Sequence, residues 1–597
     1  MGKIDELKSV ISTAFGREEP DMVFTNCKVL NVFTNEIEDK DVAVRSGIIA
    51  GVGRYADSAG EKTEVIDLGG ATICPGLIDS HIHIESSMLT PPEFAKAVIP
   101  HGTTAVVTDP HEIANVAGIN GIEYMMEQSS GLPMDVFFML PSCVPATPLD
   151  ESGAELDAAD LEPLFKRGNV MGLAELMNAF GTVRNDSGII NKIMAAKNAG
   201  KVIDGHAPRL YGRELNAYVA AGVGSDHECY ESTEAIEKLR LGQWIMVREG
   251  TAAKNLENMM PLFDERYYGR CLLVTDDKHP GDLLEKGHID YIIRKAISLG
   301  ADPAKAIRMA TLNAAQCFGI GGKGAVAPGY RADIIVVDSI ERFNVLATYY
   351  NGRITSRNGK LVDAGSDCFT TKTRMHERYG RVYNSFNLRE LTEADFTING
   401  DGVNRRVIGL IKGQILTEEI ITASDTSDDR KNDIIKLAVI ERHKDTGHIG
   451  LGYLKGYGLK NGAVASSIAH DSHNLIVVGT NDRDMAVAAN AVNVSGGGLA
   501  IVCDGEVLGQ LALPVGGIMC EKSAESVEDA LKTLKAIAAE LGVAKGIDPF
   551  MTLAFSSLSV IPKLKLTTFG LVDVESQQIV PVIFGDGEKC DRGADED

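Results

Sequence analysis

Leu77-Ile78-Asp79-Ser80-His81-Ile82-His83 is the stretch on which the reading of this chain turns. An apolar run over residues 72–78 ends in two histidines placed two positions apart. Along an extended strand, side chains at i and i+2 face one side, so both imidazoles leave the strand end together. A lone histidine is more often a satisfied structural group than a ligand. Two on one face at a strand end point instead to a shared metal.

The same unit recurs: a short apolar strand, a polar or ionisable residue at its end, then a helical stretch. The second strand, 104–108, ends at Asp109-Pro110-His111-Glu112, and the third, 136–140, at Pro141-Ser142. The fourth, 170–174, ends at Glu175, the fifth, 201–205, at His206, and the sixth at Asp226-His227-Glu228. The seventh, 244–247, runs into Arg248-Glu249 and the eighth, 271–275, into Asp276-Asp277. Eight such repeats predict an α/β fold with a closed parallel (β/α)8 barrel of the TIM type over residues 75–323. In such a barrel the reactive groups gather at the C-terminal strand ends. An open doubly wound sheet would not bring eight strand ends into one ring.

Short β runs between turn residues fill 22–73 and return at 324–361. Residues 22–74 plus 324–380 are therefore expected to form one small β-sandwich domain built from both flanks of the barrel, with 1–21 as a polar lead-in. From 381 to 597 strands alternate with glycine-rich loops, predicting a separate α+β domain. There Asp504-Gly505 between apolar runs signals a hairpin, and 523–541 has apolar positions at helical spacing with Gly542 after the last. Gly496-Gly497-Gly498 lacks the Lys and Ser/Thr of a phosphate loop and reads as a tight turn. His470-Asp471-Ser472-His473-Asn474 precedes an apolar run; capping that strand is its expected role, with a third metal site or a reach into the barrel mouth as alternatives. The acidic end, 585–597, is expected to fray.

Composition narrows the function classes. The 597 residues carry 59 Lys+Arg against 83 Asp+Glu, a net charge of −24. A hydrophobic share of 44% excludes a mainly disordered chain. The acidic balance argues against a nucleic-acid partner, because phosphate contacts need clustered cations. No apolar run approaches a membrane span, no signal-peptide core opens the chain, and the ten cysteines show no close pairing. A soluble, cytoplasmic protein with reduced thiols and no membrane partner is expected.

His81, His83, His206 and His227 with Glu175 and Asp276 form a nitrogen-and-oxygen donor set suited to borderline divalent ions. Six donors exceed what one four-coordinate ion with an open position needs. They suit two ions sharing a bridging carboxylate and a bridging hydroxide. Mn or Fe is the expected metal, with Zn as the alternative.

These residues resemble a known family. Val65-Ile66-Asp67, the Pro75–His83 stretch and Ala327-Pro328-Gly329-Tyr330-Arg331-Ala332-Asp333 look like the amidohydrolase superfamily over about residues 22–365. Many members carry a carboxylated lysine at the fourth strand, where this chain has Glu175 within Gly172-Leu173-Ala174-Glu175-Leu176-Met177. With Thr108-Asp109-Pro110-His111-Glu112, Asp226-His227-Glu228 and Thr275-Asp276-Asp277, the pattern is similar to the bacterial adenine deaminases. Gly479-Thr480-Asn481-Asp482 and 496–498 resemble that family's extra domain. The resemblance implies deamination of a free purine base at two metals by a homo-oligomer, expected as a dimer. A cytidine-deaminase reading fails: His83-Ile84-Glu85 supplies half its signature, but Pro141-Ser142-Cys143 lacks the second cysteine. An amidohydrolase acting on a cyclic amide or N-acyl sugar, and a non-catalytic barrel scaffold, are the competing readings.

For deamination, Asp276 is the expected shuttle between the nucleophilic water and the leaving amine, preferred to Asp277 because it comes first after the strand. Glu228 and Glu112 are the expected sources of a proton for the purine N1, with Asp109, His111 and Ser142 lining the pocket. The structural alternative for Asp109 and Glu112 is capping of the helix beginning near Ile113. Asp109, Glu112, Glu228, Asp277 and Glu249 outnumber Arg209, Arg248 and Lys278 at the strand ends, giving an acidic mouth suited to an uncharged base.

Overall fold

A computed structural model describes residues 2–251, 253–362, 366–369, 374–400, 402–412, 414–425 and 429–585. The acidic end expected to fray lies almost wholly outside them. Eight parallel strands form the barrel: β1 Leu77–Ile82, β2 Thr103–Thr108, β3 Asp135–Leu140, β4 Val170–Leu176, β5 Val202–Gly205, β6 Ser225–Asp226, β7 Trp244–Arg248 and β8 Cys271–Val274. They hydrogen-bond as an arc β1 to β5 and an arc β6 to β8. Two joints complete the ring. Gly224 N donates to Ile203 O at 2.9 Å between β5 and β6, and Asp276 N donates to His81 O at 3.0 Å between β8 and β1.

A buried polar network ties the second joint. Asp79 of β1 accepts from the Thr275 hydroxyl and, at 3.2 Å, from Thr275 N, while His288 Nε2 lies 3.0 Å from its carboxylate. Inside the ring, Ile78, Ala105, Val107, Met139, Ala174, Met246, Leu272 and Val274 pack as one apolar cluster. The barrel is therefore a filled core, and its open chemistry sits at the strand ends.

The first strand departs from the sequence reading. The run 72–78 is two strands: Thr72–Pro75 belongs to the flanking sheet, paired with Ile334–Val337, and only Leu77–Ile82 enters the barrel. The break is at Gly76, where a Cβ would come within 2.3–2.9 Å of the Thr104 side chain. The flanking sheets draw strands from both sides of the barrel, a four-stranded sheet from 22–67 and a seven-stranded one mixing 28–39 and 72–75 with 334–361.

The C-terminal region builds a nine-stranded sheet. Its faces alternate as a pleat demands. Ala438, Ile440, Ala463, Ala465 and Val477 pack under the helix Asp482–Val494 through Met485, Ala488, Ala489 and Val492. Leu437, Val439, Val464, Ile476 and Val478 face the other way and share one apolar cluster with barrel residues Phe94, Ile113, Ala114 and Tyr124. The expected separate domain thus shares its core with the barrel. Two local readings hold: the Asp504-Gly505 turn joins Gly498–Cys503 to Glu506–Ala512, and the helix Ala524–Glu540 is capped by Ser523. No helix of the described residues is long and apolar enough to cross a membrane.

Candidate metal centre

Strand β1 ends in His81 and His83, both 3% exposed, with rings edge to face at 5.1 Å. Each is oriented by a partner behind it. His81 Nδ1 lies 3.2 Å from Asp204 Oδ2, and His83 Nδ1 lies 3.1 Å from the Asp109 carbonyl oxygen. The Nε2 atoms are left facing inward, and His81 Nε2 has no hydrogen-bond partner among the described residues. An imidazole held at one nitrogen and bare at the other is the arrangement a metal ligand needs.

Glu175, inside β4 because the strand runs on to Leu176, occupies the middle. Its Oε1 lies 3.5 Å from both His83 Nε2 and His111 Nδ1. Its Oε2 lies 2.6 Å from His206 Nδ1 and 3.1 Å from His227 Nε2. Asp276, at φ +59° just after β8, turns Oδ1 to 3.4 Å from His83 Nε2 and 3.9 Å from His81 Nε2. The six residues expected as ligands therefore converge, and the set of His nitrogens and carboxylate oxygens fits divalent ions. Asp277 goes elsewhere, accepting from Ser86 Oγ at 2.5 Å.

Burial alone would lower these imidazoles and raise these carboxylates, but their pairing wins. Glu228 and Glu175 lift His206 to about 9, and Asp276 and Glu175 hold His83 well above the ordinary imidazole value. His227 and His206 hold Glu175, and Arg248 and His83 hold Asp276, well below the carboxylate range. Ions bound at His83 and His206 would therefore compete with protons.

The remaining predicted residues land differently. Asp109 Oδ2 fixes His111 Nδ1 at 2.9 Å, leaving Asp109 Oδ1 buried and unpartnered among the described residues. Ser142 Oγ donates to the Glu175 carbonyl oxygen at 2.5 Å, so it braces the strand end, and it also lines a cavity of about 970 Å³. A second cavity, of about 660 Å³, is lined by His206, Met177 and Asn178 and so borders the centre at His206.

Two expectations and one alternative are corrected. Glu228 does not stand free as an acid: both its oxygens engage Arg248, which holds it ionised against the effect of burial. Asp109 and Glu112 do not cap the helix His111–Ala117; Ile113 N donates to Glu85 Oε1 at 3.3 Å instead. Nor do His470 and His473 cap a strand. His470 Nδ1 lies 2.6 Å from Glu112 Oε1, and His473 Nε2 bonds Glu112 Oε2, so the C-terminal region reaches the barrel mouth. Lys295, outside that count, meets Glu249 at 2.9 Å, and Arg248 meets Asp276 Oδ2 at 2.6 Å as well, so the acids of the mouth are partly paired.

Sequence reasoning left out Asp204 and gave Arg248 and Asp471 no role of their own. The first had a signal: Asp204 precedes His206 by two on β5, the same-side spacing used for His81 and His83.

Comparison with known proteins bears on the whole chain. Residues 72–362 match the Amidohydrolase family and 414–578 the Adenine deaminase C-terminal domain. "Adenine deaminase 2" of Carboxydothermus hydrogenoformans is 45% identical over 581 residues, covering 96% of this chain and 99% of that protein. An "Adenine deaminase" of Desulfatibacillum aliphaticivorans is 45% identical over 570 residues, covering 95% and 97%. Among solved structures, a beta-aspartyl dipeptidase of Fervidobacterium islandicum AW-1 superposes with a TM-score of 0.45 at 15% identity, over 58% of this chain and 98% of that one.

Proposed function

Because the chain belongs to the adenine deaminase family of amidohydrolases, we propose that its barrel mouth hydrolyses adenine to hypoxanthine and ammonia, with His81, His83, Glu175, His206, His227 and Asp276 holding two divalent ions. The observation that carries this reading is Glu175, whose two oxygens each face a different pair of imidazoles, so one carboxylate serves two half-sites. Ions bound there, Mn or Fe by the donor set with Zn as the alternative, supply hydroxide at neutral pH and offset developing negative charge.

The chain's own groups supply proton traffic and orientation. Asp276 takes a proton from the attacking water and delivers it to the amine as the C6–N6 bond breaks and ammonia leaves. Arg248 holds the outer oxygen of Asp276, which keeps the inner one facing His81 and His83. With Glu228 tied to Arg248, the N1 donor is better assigned to His111. Its Nδ1 is fixed by Asp109, and its Nε2 approaches Glu112 and Asp471 no closer than 3.6 Å. Burial disfavours a charged His111, yet Asp109 and Glu112 hold it well above the ordinary value, so it carries the proton to give. The second water proton returns to His111 as the carbonyl forms. A scaffold reading has no use for six converging donors.

The substrate class is a small purine base. The proposal places it in the cytoplasm as a homodimer without membrane partners, and the net charge of −24 accords with the absence of a nucleic-acid partner. The test is ammonia release from adenine, with metal-depleted protein and a cyclic amide as controls. Stoichiometric hypoxanthine that disappears on metal removal is the expected result; cyclic-amide hydrolysis without adenine turnover would sink the reading.

A further inference from the structure

The barrel's catalytic groups come from strand ends, but one carboxylate at the mouth comes from elsewhere in the chain. Asp471 is 3% exposed, its Oδ1 lies 3.8 Å from His111 Nε2, and its Oδ2 has no hydrogen-bond partner among the described residues. A buried carboxylate oxygen left unpaired is costly, on the order of 1–3 kcal/mol or more for a charged group, unless something absent from the free protein fills the place.

The loop that carries it is pinned on every side. Arg442 Nε donates to His473 O at 2.6 Å, His443 Nε2 lies 2.8 Å from Ser472 O, and Asn474 Nδ2 donates to Glu151 O at 2.6 Å. His470 N donates to Ala554 O at 3.0 Å, and His470 and His473 both grip Glu112 in the helix that follows β2. Such over-determination is what a positioned functional group requires.

We propose that Asp471 is a substrate-contacting residue of the deaminase site, accepting an N–H of the adenine base, and that His470 and His473 are positioning residues that hold its loop onto the barrel through Glu112. The inference rests on the functional reading above. It assigns the C-terminal domain a direct part in base recognition: a free base offers N–H donors at its ring and exocyclic amine, and a buried carboxylate beside His111 is matched to them. Glu112 meets His470 at one oxygen and His473 at the other, so the loop is tied to the barrel by two hydrogen bonds.

Kinetics of Asp471→Asn and Asp471→Ala against wild type, with two controls, decides it. The controls are metal per chain and hypoxanthine affinity. Loss of a charge-assisted hydrogen bond should lower kcat/KM for adenine by roughly 10–10²-fold and weaken hypoxanthine binding by a similar factor, at unchanged metal content. His473→Gln, which loosens the loop without touching Asp471, should raise KM more than it lowers kcat. Wild-type kcat/KM and hypoxanthine affinity in folded, metal-replete Asp471→Ala would overturn the inference, as would a third ion per chain lost in His473→Gln. Should Asp471→Ala fail to fold, Asp471→Asn and His473→Gln still decide. Wild-type protein that releases no ammonia from adenine would break the functional reading instead.

Discussion

Glu175 and Glu112 are both buried carboxylates among histidines at one barrel mouth, and the spacing around them differs. Glu175 has two imidazoles at each oxygen, three of the four contacts at 3.1–3.5 Å and the fourth, to His206, at 2.6 Å, and His81 Nε2 nearby is bare. Glu112 meets His470 at 2.6 Å and His473 more tightly still, one imidazole to each oxygen, with nothing left over. The first arrangement gathers four imidazoles on one carboxylate; the second is closed by one hydrogen bond at each oxygen. The same residue types thus line the proposed metal centre in one place and a domain clamp in the other, and the number of imidazoles around the carboxylate, four against two, is what differs.

The sharpest way to break that comparison is to neutralise each carboxylate in turn. Glu175→Gln should leave fewer than two ions per chain and cut turnover by more than roughly 10⁴-fold, beyond the usual loss for one acid–base group. Glu112→Gln should keep both ions. Equal metal loss in the two variants, read by elemental analysis, would mean that the clamp is a ligand site too.

Next in size is the strand β8 pair. Asp276→Asn should slow the chemical step by about 10²–10⁴-fold, roughly 3–5 kcal/mol of barrier, while holding most of its metal through the amide oxygen. Asp277→Asn, removing only an acceptor for Ser86, should stay within a few-fold of wild type. Reversal of the two kcat values would move the shuttle to Asp277.

How much of this was legible follows from which contacts are local. His81 and His83 announce themselves by strand spacing, and the eight strand-end residues by repetition. The break at Gly76 left no trace in polarity, because Ile73 and Cys74 before it and Leu77 and Ile78 after it are alike buried and apolar. Glu228 and Arg248 read as unpaired mouth charges, since a strand-to-strand ion pair across 20 residues has no local signature. The clamp was the hardest: Glu112 and His473 lie 361 positions apart and meet only through docking of a whole sheet.

A smaller effect is expected at Arg248, which bridges Glu228 and Asp276. Arg248→Gln should lower kcat by about 10–10²-fold, the usual loss when a supporting partner of a metal-site group goes. Full activity would show that Asp276 needs no such support.

The smallest effect concerns stability at the clamp. His473 is a neutral donor: its Nδ1 accepts from Ala469 N at 3.3 Å, and burial with the neighbouring cations His470 and Arg442 outweighs Glu112 in lowering it. His470 is the charged partner, raised by Glu112 against burial from 6.5 to about 9, a shift corresponding to roughly 3 kcal/mol at most. Its folded value lies above its unfolded one, so its contribution is complete below about 6.5 and fades as pH rises through about 9. Glu112 is held well below its ordinary value by His470 and His473 despite burial, so its share is present above about 4.5 and lost as pH falls. The clamp should therefore be strongest near pH 5–6. Thermal melts of wild type and His470→Gln should differ most there and converge above about pH 9. A difference that stays constant from pH 5 to 10 would mean that His470 holds Glu112 as a neutral hydrogen-bond donor, and that charge plays no part in docking the C-terminal sheet on the barrel.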